Sequence, residues 1–214
     1  TMRRFVFEIF DAIGQTEIHL YVGLRPGVPV KPGSMGMPLP GHEVTILDDA
    51  GKEVPPGTVG HLVIKNDDPG LTLGYRKMED RWAALNREGW FYTGDLAYKD
   101  AEGYYWYVSR SDDLIKSRAY LISPKEVEEA TMEHAAVLEA GVVGVPDAVI
   151  GQRVKAYITL KEGYRPSASL AEEIIEKVKM VIAPYKAPKE IEFVDELPKT
   201  ATGKILRREL RRES

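Results

Sequence analysis

The stretch YTGDLAYKDAEGYYWYVSRSDDLIKSRAYLISP, residues 92–124, decides how this chain is organised. It opens on an acidic turn at Asp95 and passes through the aromatic run YYWYV at 104–108. It then breaks into a dense polar cluster of Arg110, Asp112, Asp113, Lys116 and Arg118. Aromatic and β-branched residues in succession are a strong strand signal. The sequence Ser-Arg-Ser-Asp-Asp at 109–113 ends that signal, and the composition changes beyond it. A domain boundary is therefore expected at 111–113, between a part spanning 1–111 and a part spanning 112–214, with ligand-binding groups on both sides.

Upstream, residues 24–60 are dense in glycine and proline, which is turn chemistry between short strands. Residues 42–47 and 61–65 read as strands, with Asp49-Ala50-Gly51 as a turn. The expectation is a small antiparallel, barrel-like unit, β-rich from about residue 24. Residues 78–87 read as a short helix with Trp82 and Leu85 on one face. Residues 1–10 mix Arg3 and Arg4 with Phe5, Val6, Phe7, Ile9 and Phe10 and begin without a cap. The domain is expected to start further upstream, and these apolar side chains are expected to seek a partner chain or a second copy.

Downstream, Ser123-Pro124-Lys125-Glu126 is a helix start: Ser123 the N-cap, Pro124 the first helical residue, Glu126 closing a capping box. Val127, Ala130 and His134 fall at helical spacing, which assigns His134 to helix-face packing. Residues 137–145 read as a buried strand ended by Pro146. Residues 153–161 alternate, with Val154, Ala156, Ile158 and Leu160 on one side. Ser169 with Glu172 is read as the start of a second helix that stops before Pro184. A short strand at 190–194 and the basic tail LPKTATGKILRRELRRES complete a compact α+β part of ordinary domain size. In the tail, Glu209 and Glu213 interleave with four arginines, the pattern of a salt-bridged surface helix.

Composition narrows the function classes. The 214 residues carry a formal net charge of −4, which gives no reason to expect nucleic acid as the partner. There is no cysteine, which excludes disulfides, thiolate metal sites and a thiol nucleophile. No apolar run reaches spanning length, so a cytoplasmic protein with no membrane span is expected. The four histidines are scattered, and His42 and His61 are assigned to strand starts.

Three short motifs can carry chemistry. In Gly14-Gln15-Thr16-Glu17, Gly14 permits a tight turn. The Thr16 hydroxyl can donate to a phosphate while the Glu17 carboxylate serves Mg²⁺ as a hard oxygen ligand; the alternative is a plain turn. Asp95 directly follows Gly94 and can accept two hydrogen bonds from a vicinal diol such as a ribose; the alternative is a turn cap. Lys204 ends Thr200-Ala201-Thr202-Gly203-Lys204. The phosphate-loop pattern fails here, because Pro198 stands where its first glycine belongs and Ile205 follows the lysine. What remains is a flexible loop that delivers one ammonium to charge developing on a phosphate or carboxylate, or else a solvated basic tail.

In order and spacing, GQTE at 14–17, GMPLPG at 36–41, YTGDL at 92–96, SRSDDLIKSRAYLISPKEVE at 109–128 and LPKTATGKILRREL at 197–210 resemble the acyl-adenylate-forming enzymes. That group includes acyl-CoA synthetases, luciferases and peptide-synthetase adenylation domains. Residues 88–124 and 183–210 look most like the acetyl- to medium-chain acyl-CoA synthetases. The resemblance implies a ligase of fatty acid metabolism that couples a carboxylic acid to CoA through an acyl-adenylate, using ATP and Mg²⁺ and releasing AMP and pyrophosphate. It implies that Thr16 contacts phosphate, Glu17 holds Mg²⁺, and Asp95 and Arg110 bind the ribose. It further implies that Asp112 is a hinge, that Lys204 assists adenylation, and that Lys116, Ser117, Arg118 and Ala119 line the CoA tunnel. Lys204 and the CoA loop are read as opposite ends of a domain of about 13 Å radius of gyration, so rotation at Asp112 would present them in turn.

The departures are as specific as the match. The family's glycine-rich phosphate loop and acyl pocket have no counterpart in these residues. Ile13 stands in place of an aromatic, Ser109 and Ala119 in place of glycine, and Leu121 in place of arginine. The isolated chain is therefore expected not to form acyl-adenylate. The alternative is a truncated, non-catalytic fragment acting as a protein- or nucleotide-binding module.

Overall fold

The structure, a computed structural model, describes residues 9–118, 120–201 and 203–212. The chain divides into two compact units, Thr1–Ser111 and Asp112–Ser214. Among the described residues no helix is long and apolar enough to cross a membrane.

The first unit is built on strands. β1 (Ala12–Gln15) and β2 (Ile18–Gly23) form an antiparallel hairpin, and β3 (Met37–Pro38) pairs with β2. Strands thus begin at Ala12, ahead of the glycine- and proline-rich stretch. A second sheet holds β4 (Val44–Leu47) and β5 (Gly60–Lys65). After the short helix α1 (Glu79–Leu85) it continues with β6 (Asn86–Arg87), β7 (Trp90–Lys99) and β8 (Tyr105–Arg110). Strand β7 organises this sheet. One edge pairs with β5; the other takes β6 at Trp90 and Phe91, then β8 from Asp95 to Lys99. Tyr21 and Val22 of the first sheet share one core with Ile46, Leu62, Ile64 and Phe91 of the second. Trp82 and Leu85 pack against it from α1, as their spacing requires, and Trp82 stacks on Phe91 at 5.4 Å. The mixed α+β class holds, and among the described residues none of the three sheets closes into a barrel. The strand at the aromatic run continues through Ser109 and Arg110, because Arg110 still pairs with Asp95 across the ladder.

The second unit starts with a hairpin of β9 (Ile115–Ser117) and β10 (Tyr120–Ile122), followed by α2 (Pro124–Met132). β11 (Val137–Asp147) and β12 (Gly151–Leu160) form its long antiparallel pair. Helix α3 (Ala168–Val181) then leads through a 3-10 turn at Pro184–Lys186 to β13 (Glu190–Phe193), and α4 (Arg207–Leu210) follows. The sheet order is β10-β9-β12-β11, with β13 joining β12 in parallel. Alternation on β12 buries both faces. Val154, Ala156 and Ile158 pack with Val127 and Ala130 of α2 and Ile174 and Val178 of α3. Tyr157 faces the other way, with Val143 and Val145, where Leu197 and Leu210 of the tail close a second core.

Two expectations about helix ends are corrected. Helix α2 stops at Met132, so His134 lies past it. There its Nδ1 accepts from the Ala136 amide at 3.2 Å and its Nε2 meets Glu173 at 3.2 Å. Helix α3 is capped by Ser167 rather than Ser169; the Ser167 hydroxyl accepts from the Leu170 amide at 3.1 Å. At α2 the expected cap is present, with Ser123 accepting from the Glu126 amide at 3.4 Å, and the Glu126 carboxylate also takes Lys186 at 2.6 Å.

Gly141 on β11 leaves the space into which the tail settles: a Cβ there would lie 2.8 Å from Leu210 Cδ1 and 3.4 Å from both Ile205 and Leu197. Valine favours strands more than glycine does. Gly141→Val is nevertheless expected to lower stability by about 1–3 kcal/mol through overpacking, read by urea unfolding. A gain in stability would show that the tail does not rest there.

Candidate functional site

The first group of site residues sits on the β1–β2 hairpin. Its turn is Thr16-Glu17, not Gly14. Gly14 lies within β1 beside irregular register, where a Cβ would come 2.6 Å from the His19 carbonyl oxygen, so its job is close approach rather than turning. Thr16 is exposed and Glu17 half-buried. Sequence reasoning missed the group that holds Glu17: the Tyr75 hydroxyl donates to its Oε1. Burial, and then that bond to Glu17, push the Tyr75 phenol above the usual tyrosine range. Trp82 stands edge-on to the Tyr75 ring at 5.5 Å, and Arg81 lies 5.3 Å from its centre.

The loop that delivers Tyr75 is strapped to the same hairpin. The Thr72 amide donates to the Glu17 carbonyl at 2.7 Å, and Leu71 bridges Ile18. Asp68 stiffens the loop by accepting from the Gly70 amide at 2.8 Å and meeting His42 Nδ1 at 2.7 Å. His42 thus has a structural partner just ahead of β4. His61 on β5 meets the exposed Asp49 at 2.9 Å.

The second group is the cross-strand pair of Asp95 and Arg110 on β7 and β8. Arg110 Nη1 donates to Asp95 Oδ1 at 3.1 Å and to the Thr93 carbonyl at 3.0 Å. Gly94 between them has φ +79, and a Cβ there would fall 2.6 Å from Arg110 Nη2. The open backbone expected beside Asp95 is therefore covered by a guanidinium. Thr93 anchors the corner, donating to the Leu62 carbonyl at 2.8 Å and accepting from the Asp95 amide at 3.1 Å. Burial, and then the charge of Asp95, push the Tyr21 phenol far up, so it stays protonated. The positive charge of Arg110 opposes the rise of both the Tyr21 and the Tyr75 phenol, less strongly than burial favours it.

Among the described residues, no group of three or more acidic, histidine or cysteine side chains could hold a metal alone. A magnesium ion commonly uses one or two carboxylates and completes its shell with substrate phosphates and water. A lone, anchored Glu17 carboxylate beside the Thr16 hydroxyl fits that kind of shared ion.

In the second unit the hairpin of β9 and β10 is pinned to the turn between β11 and β12. The Lys116 amide donates to Gln152 Oε1 at 2.7 Å, Ser117 pairs with Gly151, and the Arg118 amide donates to the Ile150 carbonyl at 2.7 Å. Arg118 has φ +53, a left-handed conformation costly for a non-glycine residue. Ala119 lies outside the described residues. Lys204 is exposed, but its loop is a closed turn: Thr200 and Lys204 exchange hydrogen bonds at 2.8 and 3.1 Å, and Lys199 bridges Ile205. The arginine run is not simply a surface helix. Arg207 is paired with Glu128 and Asp113, and Arg211 with Asp113.

The chain belongs to the AMP-binding enzyme family: residues 1–76 match AMP-binding enzyme, and residues 126–204 match AMP-binding enzyme C-terminal domain. Individual relatives narrow the likeness. 4-Hydroxybutyrate–CoA ligase 1 of Metallosphaera sedula is 55% identical over 98% of this chain and 37% of its own length. Among solved structures, o-succinylbenzoate CoA synthetase (MenE) of Bacillus subtilis, in complex with its acyl-adenylate intermediate, superposes with a TM-score of 0.85. It is 36% identical, over 96% of this chain and 41% of the other. ATP-bound MatB of Rhodopseudomonas palustris gives a TM-score of 0.87 at 29% identity, over 96% and 40%. The chain thus spans about two fifths of the length of these relatives.

The packing of Arg110 over Gly94 makes a quantitative prediction. Gly94→Ala is expected to cost about 1–2 kcal/mol from the left-handed backbone, and more from displacing the guanidinium. Arg110→Ala in the same chain removes that displacement, so the double variant costs less than the sum of the single ones in chemical denaturation.

Proposed function

We propose that the chain is the C-terminal portion of an AMP-forming acyl-CoA ligase. The observation that carries this reading is the anchored Asp95–Arg110 pair, in a chain of which 98% aligns with part of a CoA ligase. In the first half-reaction a carboxylate oxygen attacks the α-phosphorus of ATP and pyrophosphate leaves. In the second, the CoA thiol displaces AMP and the thioester forms. Two of the named relatives are a 4-hydroxybutyrate–CoA ligase and an o-succinylbenzoate CoA synthetase, so the class proposed is a carboxylic acid of unassigned chain.

Each residue then has one task. Asp95 accepts from the ribose hydroxyls, and Arg110 fixes its orientation while donating to the same sugar. Thr16 donates to the phosphate. Glu17, oriented by Tyr75, would offer one carboxylate to a Mg²⁺ ion. That ion would neutralise charge on the leaving pyrophosphate. Lys204 brings an ammonium to the charge developing between carboxylate and phosphate. Asp112 is the hinge, and Lys116, Ser117, Arg118 and Ala119 line the path of the CoA arm. By resemblance alone, we assign the ligase to fatty acid metabolism in the cytoplasm.

The test is calorimetric titration of the 214-residue chain with AMP, ATP·Mg²⁺ and CoA separately. AMP is expected to bind in the micromolar range and to lose binding in Asp95→Ala. With no phosphate loop in these residues, ATP–pyrophosphate exchange by the chain alone is expected to be absent. Failure of AMP, ATP·Mg²⁺ and CoA alike to bind would overturn the reading.

A further inference from the structure

The turn that carries Lys204 is fastened at both ends. On the side entering it, Leu197 is buried against the sheet, and Lys199 Nζ meets both oxygens of Glu139 at 2.7 and 2.8 Å. On the side leaving it, Leu210 is buried over Gly141, and the Tyr157 hydroxyl donates to the Leu210 carbonyl at 3.1 Å. The Leu206 amide donates back to the Pro198 carbonyl at 2.8 Å and closes the stem.

The leaving side also holds a charge cluster that the proposed chemistry does not use. Arg207 grips Glu128 with two parallel bonds, Nε to Oε1 at 3.0 Å and Nη2 to Oε2 at 2.6 Å. Its third nitrogen, Nη1, donates to Asp113 Oδ2 at 3.0 Å. Arg211 holds the other oxygen of Asp113 and reaches the Asp112 carbonyl at 3.4 Å. Glu128 Oε1 further accepts from the Val142 amide of β11 at 2.9 Å. A fork of this kind sets direction as well as distance, which a lysine cannot do. Three separate parts of the unit meet at one guanidinium: the residues beside Asp112, the helix on the sheet, and the segment following Lys204.

We infer that Arg207 is a positioning residue that clasps the Asp112–Asp113 segment and the Lys204 turn into one rigid body. Any rotation at Asp112 is then transmitted to the ammonium rather than absorbed by a loose tail. The mechanistic meaning rests on Asp112 as hinge and Lys204 as the reacting cation; the clasp itself does not.

Because the chain has no cysteine, a single Ala201→Cys substitution takes a nitroxide label specifically. In Arg207→Gln the label is expected to become mobile, and amide exchange over residues 199–206 to quicken at least about tenfold while that of β11 is unchanged. Glu128→Gln should do the same, and the double variant should add little, because both remove one interaction. Arg207→Lys, which keeps the charge, should recover part of the protection. Should Arg207→Gln unfold the unit, Asp113→Asn takes its place, with faster exchange expected over residues 112–116 at unchanged melting temperature. An equally ordered turn in Arg207→Gln, additive effects of the two single substitutions, or unchanged exchange in Asp113→Asn would overturn the clasp. AMP titration fails separately if the nucleotide reading is wrong, and leaves this outcome untouched.

Discussion

The Glu128 side chain enters the second unit with 8% of its surface exposed, and that burial constrains much of what surrounds it. An unpaired buried carboxylate costs several kcal/mol, so the fold must deliver a cation and further donors to it. The Val142 amide supplies one donor and Arg207 supplies two. Bringing Arg207 there obliges the chain after β13 to return across the sheet. α4 is only four residues long and has no side-chain cap, too short to persist on its own propensity. It exists because Leu210 finds space over Gly141 and Arg207 finds its carboxylates.

The first unit builds its candidate site by other means. Its key cation, Arg110, has 42% of its side chain exposed, whereas Asp95 has 9%. An ion pair that open contributes at most about 1 kcal/mol to stability. Its geometry is set by backbone: a left-handed Gly94 leaves a bare surface over which the guanidinium lies. Glu17 is likewise fixed by a loop that hydrogen bonds hold against the hairpin and a ring contact holds against α1. Both arrangements spend conformational freedom on orientation rather than on cohesion.

Local pattern in the sequence announced what local pattern can encode. The strand at 61–65, the helix face of Trp82 and Leu85, and the alternation of Val154, Ala156 and Ile158 all follow from periodicity, and the structure keeps them. The spacing of Ser169 and Glu172 pointed to a cap two residues late, because it is the Ser167 hydroxyl that reaches the Leu170 amide. His134 followed the helical period two residues beyond the true end of α2. The long-range partners were invisible. Tyr75 stands 58 residues from Glu17, and Arg207 stands 79 from Glu128. One signal did exist: Glu128 directly follows Val127 on a helix whose buried face also holds Ala130 and Thr131. A carboxylate there needs a cation from elsewhere.

Strand β13 lies parallel to β12, with Lys155 opposite Glu190 and Ile158 opposite Phe193. Parallel neighbours need a long crossover, here supplied by α3, whose Ile174 and Val178 grip the opposite face of the sheet. The register is pinned by charge as well: Lys155, 7% exposed, meets Glu190 at 2.9 Å and Glu192 at 2.8 Å. The tail starts where β13 ends, so the sheet acts as a ruler from which the position of Lys204 is measured. Residues added to the connection at 161–167 lengthen the crossover and leave the ruler's zero in place. One residue added inside β13 moves the zero and turns the two glutamates toward the helices.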